Sequence, residues 1–364
     1  MGIVKGVDTK KIISFESISR ERIEDSIQRF QKEDRDYIYR IEMVLTEICN
    51  LKCSYCQKRK AVGEEEERIS EEALVQKIEE WGNQHCEYIH FIGGEPTLME
   101  YLPSLVKQTS DQGIRAIITS NATADVRVYE QLVRNGLYGI HISLDTNDGA
   151  EFDRIVGVSG SFDKVMQTIQ MITKLRDEEG YDVHLTLNST VTPNTIHKLD
   201  EMLKFYLNLK PNDIKLMPIS QLRKKWEDYS EFYYSTLYPK LKEMIPEDPD
   251  NFVMLRNRIQ YLVENQIRGY HDYMPKQCYL MCHERLVDPD GKFYPCYINY
   301  RENGSYLGNI NELGINAQAS LIYNASKGMC ESEICSKFCA DITARYNKCI
   351  DRVLSKEDSL EVFF

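Results

Sequence analysis

Cys49, Cys53 and Cys56 stand at a C-x3-C-x2-C spacing in "CNLKCSYC". Cysteine thiolates are soft ligands suited to zinc and to iron-sulfur clusters. Four of them would close a tetrahedral zinc site or cap every iron of a cubane, whereas three leave one corner open to a ligand from outside the protein. A zinc site would need a fourth ligand close by, and His85 and His90 are separated from the motif by a whole predicted helix. The spacing therefore favours a cluster with an open iron, with zinc as the alternative. A second stretch, "FIGGEP" from Phe91 to Pro96, joins Gly93 and Gly94, which allow close backbone approach, to Glu95, whose carboxylate can accept hydrogen bonds from an ammonium group. Seven further cysteines, Cys278, Cys282, Cys296, Cys330, Cys335, Cys339 and Cys349, crowd the last quarter of the chain, and Cys86 stands alone, as a buried apolar residue would.

Those residues need a scaffold. The β-rich runs 41–46, 88–92, 115–119, 138–143, 183–190 and 213–218 alternate with helical apolar spacing at 70–81, 101–112, 125–136, 161–180 and 195–208. Ser70, Asp125 and Ser161 are the expected N-caps, and Gly113, Gly136 and Gly180 the expected stops. Such repetition predicts an α/β fold with a parallel sheet, either doubly wound or a partial barrel. Both motifs then fall at the C-terminal ends of strands, where parallel α/β proteins place their sites. His90, His141 and His184 lie inside strands and read as packed residues. The expected organisation is an N-terminal extension (1–38) whose amphipathic helix packs outside the barrel, the barrel itself (39–220), a helical connector (221–275) and a cysteine-rich C-terminal domain (276–364).

Composition narrows the functions. A net charge of −12 opposes nonspecific nucleic-acid binding. No apolar run is long enough to span a bilayer and the N-terminus lacks a signal-peptide core, so a cytoplasmic protein with no membrane or nucleic-acid partner is expected. In a reducing compartment eleven cysteines point to metal chemistry before disulfides.

With Tyr55 preceding the third cysteine and Gly93-Gly94-Glu95-Pro96 after the next strand, the chain resembles the radical SAM superfamily over about residues 39–220. The resemblance implies a partial (β/α)6 TIM-type barrel. It implies a [4Fe-4S] cluster held by Cys49, Cys53 and Cys56, whose open iron binds S-adenosylmethionine, and a flavodoxin- or ferredoxin-type electron donor. In such enzymes the reduced cluster cleaves the sulfonium, and a 5′-deoxyadenosyl radical takes a substrate hydrogen. Family positions further along the strands imply cofactor contacts from Ser120 and Asn121 in "TSNAT", Ser143 and Asp145 in "SLDT", Asn188 in "LNST", and Met217 with Pro218 beside adenine. Arg154 would grip the methionyl carboxylate or else form a surface helix pair.

The C-terminal cysteines resemble the SPASM domain, with its shortened twitch variant, which carries auxiliary [4Fe-4S] clusters. By that resemblance Cys278, Cys282, Cys296 and Cys339 hold one cluster, and Cys330, Cys335 and Cys349 a second that is one ligand short. Glu331 or Glu333 could complete it, its iron could be open, or there could be a single auxiliary cluster; two are favoured, with a zinc knuckle as the plain alternative. Where sulfatase-modifying relatives carry an aspartate base after the G-x4-C cysteine, this chain has Tyr297, which argues against that reaction and leaves tyrosine-mediated proton handling or no protein base. The expected function is radical modification of a peptide or protein by crosslink, thioether or oxidation, although no peptide-recognition domain is legible ahead of the barrel. The alternatives are oxidation of a small molecule such as a sugar or aminocyclitol, with Trp226, Tyr229, Phe232, Tyr233 and Tyr234 lining a pocket, and a nonenzymatic electron carrier or zinc scaffold. A molybdopterin-precursor cyclase would be expected to end in Gly-Gly, and this sequence ends "EVFF".

Overall fold

The computed structural model describes residues 20–56, 58–218, 233–237, 239–240, 273–339 and 341–363. The aromatic stretch holding Trp226, Tyr229 and Phe232 lies outside the described residues, as do the side chains of Tyr233 and Tyr234.

Six parallel strands follow the expected order. They are β1 (Arg40–Thr46), β4 (Tyr88–Gly93), β5 (Arg115–Ser120), β6 (Leu137–Ser143), β7 (His184–Val191) and β8 (Asp213–Pro218), each hydrogen-bonded to the next. Two short strands, β2 (Ile48–Cys49) and β3 (Lys60–Ala61), form a separate parallel pair. Helices α2 (Glu71–Asn83), α3 (Leu102–Asp111), α4 (Val126–Arg134), α6 (Ser161–Asp177) and α7 (Leu199–Asn208) connect the strands, with α5 (Gly149–Val156) as an extra turn before α6. Alternate strand residues such as Ile41, Met43, Ile89, Phe91, Ile118 and Ile140 pack against these helices as one buried core. Tyr39, Tyr88 and Ile117 form a second cluster. His90 bonds Thr119 Oγ1 at 2.8 Å and meets His141 edge to face, so both histidines are buried packing residues.

Local signals act largely as expected. Ser70 and Asp125 cap α2 and α4 through bonds to Ala73 N and Arg127 N, and Gly113, Gly136 and Gly180 take positive φ. Ser161 does not cap α6: Gly160 does, in a left-handed conformation, and Ser161 begins the helix with its hydroxyl donated to Val158 O. A polar residue beside a glycine loses that position when the turn needs positive φ, which glycine adopts at no steric cost.

The C-terminal region does not build its own sheet. Helix α8 (Tyr279–His283) leads into β9 (Glu284–Val287), which pairs in parallel with β1 on the edge opposite β4. From there β10 (Lys292–Tyr294) and β11 (Gly308–Asn309) continue antiparallel, giving one sheet of nine strands in the order β11-β10-β9-β1-β4-β5-β6-β7-β8. Helices α9 (Tyr297–Arg301), α10 (Ile315–Ser326), α11 (Glu333–Phe338) and α12 (Asp341–Leu354) complete this region.

The extension helix α1 (Arg20–Gln31) packs on the outside, burying Ile23 and Ile27. Its Arg22 joins Glu284 at 2.7 Å and lies 3.3 Å above the Tyr39 ring, while Arg40 meets the other Glu284 oxygen at 2.6 Å. One buried carboxylate thus ties α1, β1 and β9 together. Burial would raise the Glu284 carboxyl, but Arg40 and Arg22 outweigh it and hold it below its ordinary value. Its stabilisation is therefore present above the unfolded pKa of about 4.3 and is lost as pH falls through the lower folded value. Glu284→Ala strands two buried guanidinium groups and is expected to cost about 3–5 kcal/mol. Urea unfolding of the metal-free protein at neutral pH reads this, and the difference from wild type should shrink in acid.

Candidate active site and cysteine clusters

Where β1 ends, the chain is pinned twice. The β2–β3 pair clamps both ends of the cysteine loop. Its middle is tied to α5 by Lys52 N and Ser54 N, which donate to Val156 O and Ile155 O at 2.8 and 3.1 Å. Within the loop Cys56 N donates to Cys53 O, and Leu51 N points at Cys49 Sγ from 3.4 Å. The Asn121 amide donates to Asn50 Oδ1 at 2.8 Å and reaches Cys49 Sγ at 3.8 Å.

The glycine pair acts on this same loop. Gly93 has a φ of +151°, and a Cβ there would overlap the Thr46 carbonyl; one on Gly94 would overlap that of Ile48. Gly94 N and Glu95 N donate to those carbonyls at 2.6 and 2.9 Å. Glu95 is only 1% exposed. Its Oε1 accepts from Thr97 N, Thr97 Oγ1 and Ser120 Oγ, and its Oε2 from Asn121 N, all at 2.7–3.1 Å. Burial raises this carboxyl, against the pull of those donors. In this arrangement Glu95 locks the Ser120–Asn121 turn to the glycine turn, and its oxygens already have partners before any ammonium group arrives.

The remaining expected residues divide. Asp145 is buried, accepts from Thr190 N at 2.7 Å and bonds the Tyr55 hydroxyl, which fixes the aromatic residue of the cysteine loop to the end of β6. Asn188 is buried with Oδ1 unpartnered, beside Ser143 in register, and Met217 pairs with Thr190 on β8. Arg154 is 77% exposed and lies 3.5 Å from Glu151, on the rim of a cavity of about 870 Å³ that Tyr55 and Asp145 also line. Tyr297 follows Cys296 at the start of α9, is 38% exposed, and lies within electrostatic reach of Cys56, Glu42 and Glu47. The C-terminal region therefore faces the cysteine loop across the barrel mouth.

Burial pushes the Cys53 thiol up to about 12, aided by Asp145, Cys49 and Cys56, and burial likewise raises Cys49 and Cys56. Three ionised thiols this close repel one another unless a cation is shared between them. Among the described residues no three His, Cys, Asp or Glu side chains converge as a single ion requires. A cubane spreads its thiolates over separate irons, so the donor set fits a cluster better than zinc. The glycine backbone fixes the cysteine loop, and the Asn188 oxygen, without a partner among the described residues, is a free acceptor.

In the C-terminal region Cys278 is the hub. It lies within bonding or electrostatic reach of Cys330, Cys282, Cys335 and Cys296, and Cys296 also faces Cys335. Cys278, Cys282 and Cys296 thus come together as one set, joined by two cysteines that the sequence assigned to another. Cys339 is buried at the end of α11, and Cys349 on α12 has Arg345 and Asp358 as its charged neighbours. Nothing in the spacing signalled this grouping, because it depends on how α11 folds back on Cys296. Cys86 is buried, its thiol directed to Tyr88 O.

A model of the radical SAM superfamily matches residues 43–206. The barrel belongs to the radical SAM superfamily. That family implies a [4Fe-4S] cluster with S-adenosylmethionine. PqqA peptide cyclase of Bradyrhizobium diazoefficiens is 22% identical over 261 residues, covering 70% of this chain; the chain spans 65% of that relative's length. A probable GTP 3′,8-cyclase of Archaeoglobus fulgidus is 26% identical over 270 residues, covering 71% of this chain and 85% of the relative. Among solved structures, Streptococcus suis SuiB bound to S-adenosylmethionine aligns over 86% of this chain and 73% of its own at TM-score 0.60 and 17% identity. Native anSMEcpe with bound AdoMet aligns over 89% and 99% at TM-score 0.59 and 15% identity. These radical SAM structures share the mostly parallel α/β barrel fold.

The two acidic and basic residues of the mouth are expected to behave oppositely. Glu95→Ala removes the acceptor for four donors and should destabilise the metal-free protein by about 2–4 kcal/mol. Arg154→Ala, on an exposed side chain, should change it by less than about 0.5 kcal/mol. Thermal unfolding of both variants without iron checks this, and an unchanged melting temperature for Glu95→Ala would remove the carboxylate's structural role.

Proposed function

We propose that this protein is a radical SAM enzyme that modifies a peptide or protein by crosslink, thioether or oxidation. The observation that carries the reading is the convergence of two cysteine sets on one mouth: β9 pairs with β1, so Tyr297, next to Cys296, comes within reach of Cys56. PqqA peptide cyclase is a relative, and the fold likeness extends to SuiB bound to precursor peptide SuiA and to anSMEcpe with Cp18Cys peptide. When bound, the cluster and its nucleotide supply one electron and a 5′-deoxyadenosyl radical that abstracts a substrate hydrogen.

The chain's own residues do the holding and excluding. Cys49, Cys53 and Cys56 would hold three irons of that cluster, and the β2–β3 clamp keeps them on one short loop. The Asp145–Tyr55 bond holds the loop's aromatic side chain against β6, closing one wall of the mouth. Asn188, beside Ser143 in register, would offer its oxygen to a hydroxyl or ammonium donor of the nucleotide, while Met217 lies in register with Thr190 and Arg154 on the rim of the cavity lined by Tyr55 and Asp145. Tyr297 stands on the opposite wall and handles the substrate proton or positions the substrate side chain. The gathering around Cys278 favours one auxiliary cubane, which Cys278, Cys282, Cys296, Cys330 and Cys335 would hold between them and which would supply a one-electron acceptor beside the substrate. A flavodoxin- or ferredoxin-type protein would be the external electron donor.

The second reading is a small-molecule reaction, favoured by the probable GTP 3′,8-cyclase, of which the chain covers 85%. Anaerobic reconstitution, iron counting and 5′-deoxyadenosine release from S-adenosylmethionine and dithionite test the radical chemistry that both readings share. One auxiliary cluster predicts about eight irons per chain, counting four per cubane. Replacing Cys49, Cys53 and Cys56 together by Ala should abolish 5′-deoxyadenosine while about four irons remain. Stimulation of turnover by a mixture of short synthetic peptides, and not by GTP, supports the peptide reading; the reverse overturns it. Tyr297→Phe should keep 5′-deoxyadenosine release within about twofold while peptide product falls by about 10²-fold or more, the scale of a lost proton-transfer group.

A further inference from the structure

Two side-chain amides point at cysteine sulfurs beside the auxiliary site, and their orientations are set by other partners. Asn347 on α12 is fully buried at 0% exposure. Its Oδ1 accepts from Leu280 N at 3.0 Å, and Nδ2 lies 3.4 Å from Cys278 Sγ. Because the Leu280 amide is a donor, the oxygen must face it and the NH2 must face sulfur. Gln277 is fixed in the same way. Ser326 Oγ donates to Tyr323 O at 2.7 Å, so it must accept from Gln277 Nε2 at 2.8 Å. The same nitrogen lies 3.4 Å from Cys282 Sγ. An amide NH2 has no acceptor function, so both sulfurs are placed as acceptors, the role of a thiolate or metal-bound sulfur. Backbone geometry secures the arrangement, since Cys278 N donates to Ser326 O at 3.0 Å and Gln277 forms a bridge with Lys327.

We infer that Asn347 and Gln277 set the electron affinity of the auxiliary cluster, each donating an N–H hydrogen bond to the sulfur of a ligating cysteine. This rests on the reading above that Cys278 and Cys282 ligate that cluster. Hydrogen bonds to cluster sulfurs withdraw charge and stabilise the reduced state, so they raise the reduction potential. A cluster that must accept an electron from a substrate radical benefits from that shift. The two residues act through the ligand sulfurs.

The test uses full-length protein with Cys49, Cys53 and Cys56 replaced by Ala, so that only auxiliary iron remains. Asn347→Asp keeps an oxygen for Leu280 N and removes the donor to sulfur; Gln277→Met removes its donor without adding charge. Potentiometric titration followed by EPR should show each variant shifted to lower potential. At the parent's midpoint the reduced-to-oxidised ratio should fall about tenfold for Asn347→Asp, ~59 mV for a one-electron couple. It should fall severalfold for Gln277→Met, and the double variant should show both. Pulsed EPR after exchange into D2O should lose one exchangeable proton coupling per variant. If the parent triple variant holds no iron, the auxiliary-cluster reading fails first. If iron and EPR signal persist but neither midpoint nor proton couplings change, the assignment of Asn347 and Gln277 is wrong.

Discussion

Strand β1 is hydrogen-bonded along both edges, and the functional architecture follows from that constraint. On one side β4 delivers Gly93 and Gly94 against the carbonyls of Thr46 and Ile48. On the other, β9 arrives in parallel from residues about two-thirds of the chain later and brings the C-terminal cysteines with it. A strand with both edges filled cannot slide in register without breaking two ladders at once, and a slip of one residue would turn its core residues into the lumen. The cysteine loop begins two residues after that strand, so its position is inherited from the sheet. The buried Arg22–Glu284–Arg40 group reinforces the same junction from the N-terminal ends of β1 and β9.

This accounts for how two distant cysteine sets come to share a mouth. Had β9 paired on the free edge of β8, the auxiliary thiols would lie across the sheet from the first loop. Its place beside β1 brings Cys296 and Tyr297, just after a short hairpin, to the neighbourhood of the strand that leads into Cys49. The cost is that a large set of buried thiols is repulsive when ionised, as the upward pressure of burial on Cys53, Cys282 and Cys335 shows. Metal binding and folding are coupled in such a region.

What was readable in the chain follows from the range of each signal. The six strands and their connecting helices were legible because alternation and helical periodicity repeat locally, and Ser70 and Asp125 cap as their chemistry suggests. Helix α5 was missed: it has only eight residues and buries two, Phe152 and Val156. Its Asp148 cap was nevertheless a usable signal, with Oδ1 accepting from Glu151 N at 2.8 Å. The three-cysteine loop and glycine turn were identifiable as a pair, yet their mutual contact was not, since a glycine that admits a ligand and one that admits another backbone look alike in sequence. Glu95 shows the same limit. Its type suggested an ammonium partner; Ser120, Thr97 and Asn121 also donate to it, and only the fold says which donors are near.

The C-terminal grouping was the least legible because cysteine spacing constrains pairing only within a few residues. Cys278 and Cys282 are one helical turn apart, and the hairpin returns Cys296 to them. Cys330 and Cys335 reach the same centre only because α10 carries the chain back so that Lys327 bridges Gln277, placing the next turn beside Cys278. The same return sets Ser326 against the Gln277 amide and leaves its second proton directed at Cys282. A side chain on α12, distant in sequence, supplies the matching amide to Cys278. The donors to sulfur are thus products of tertiary closure, and their fixed orientation follows from carbonyl and hydroxyl partners that have no role in metal binding. The surrounding helices impose the geometry of both amides before any iron is present.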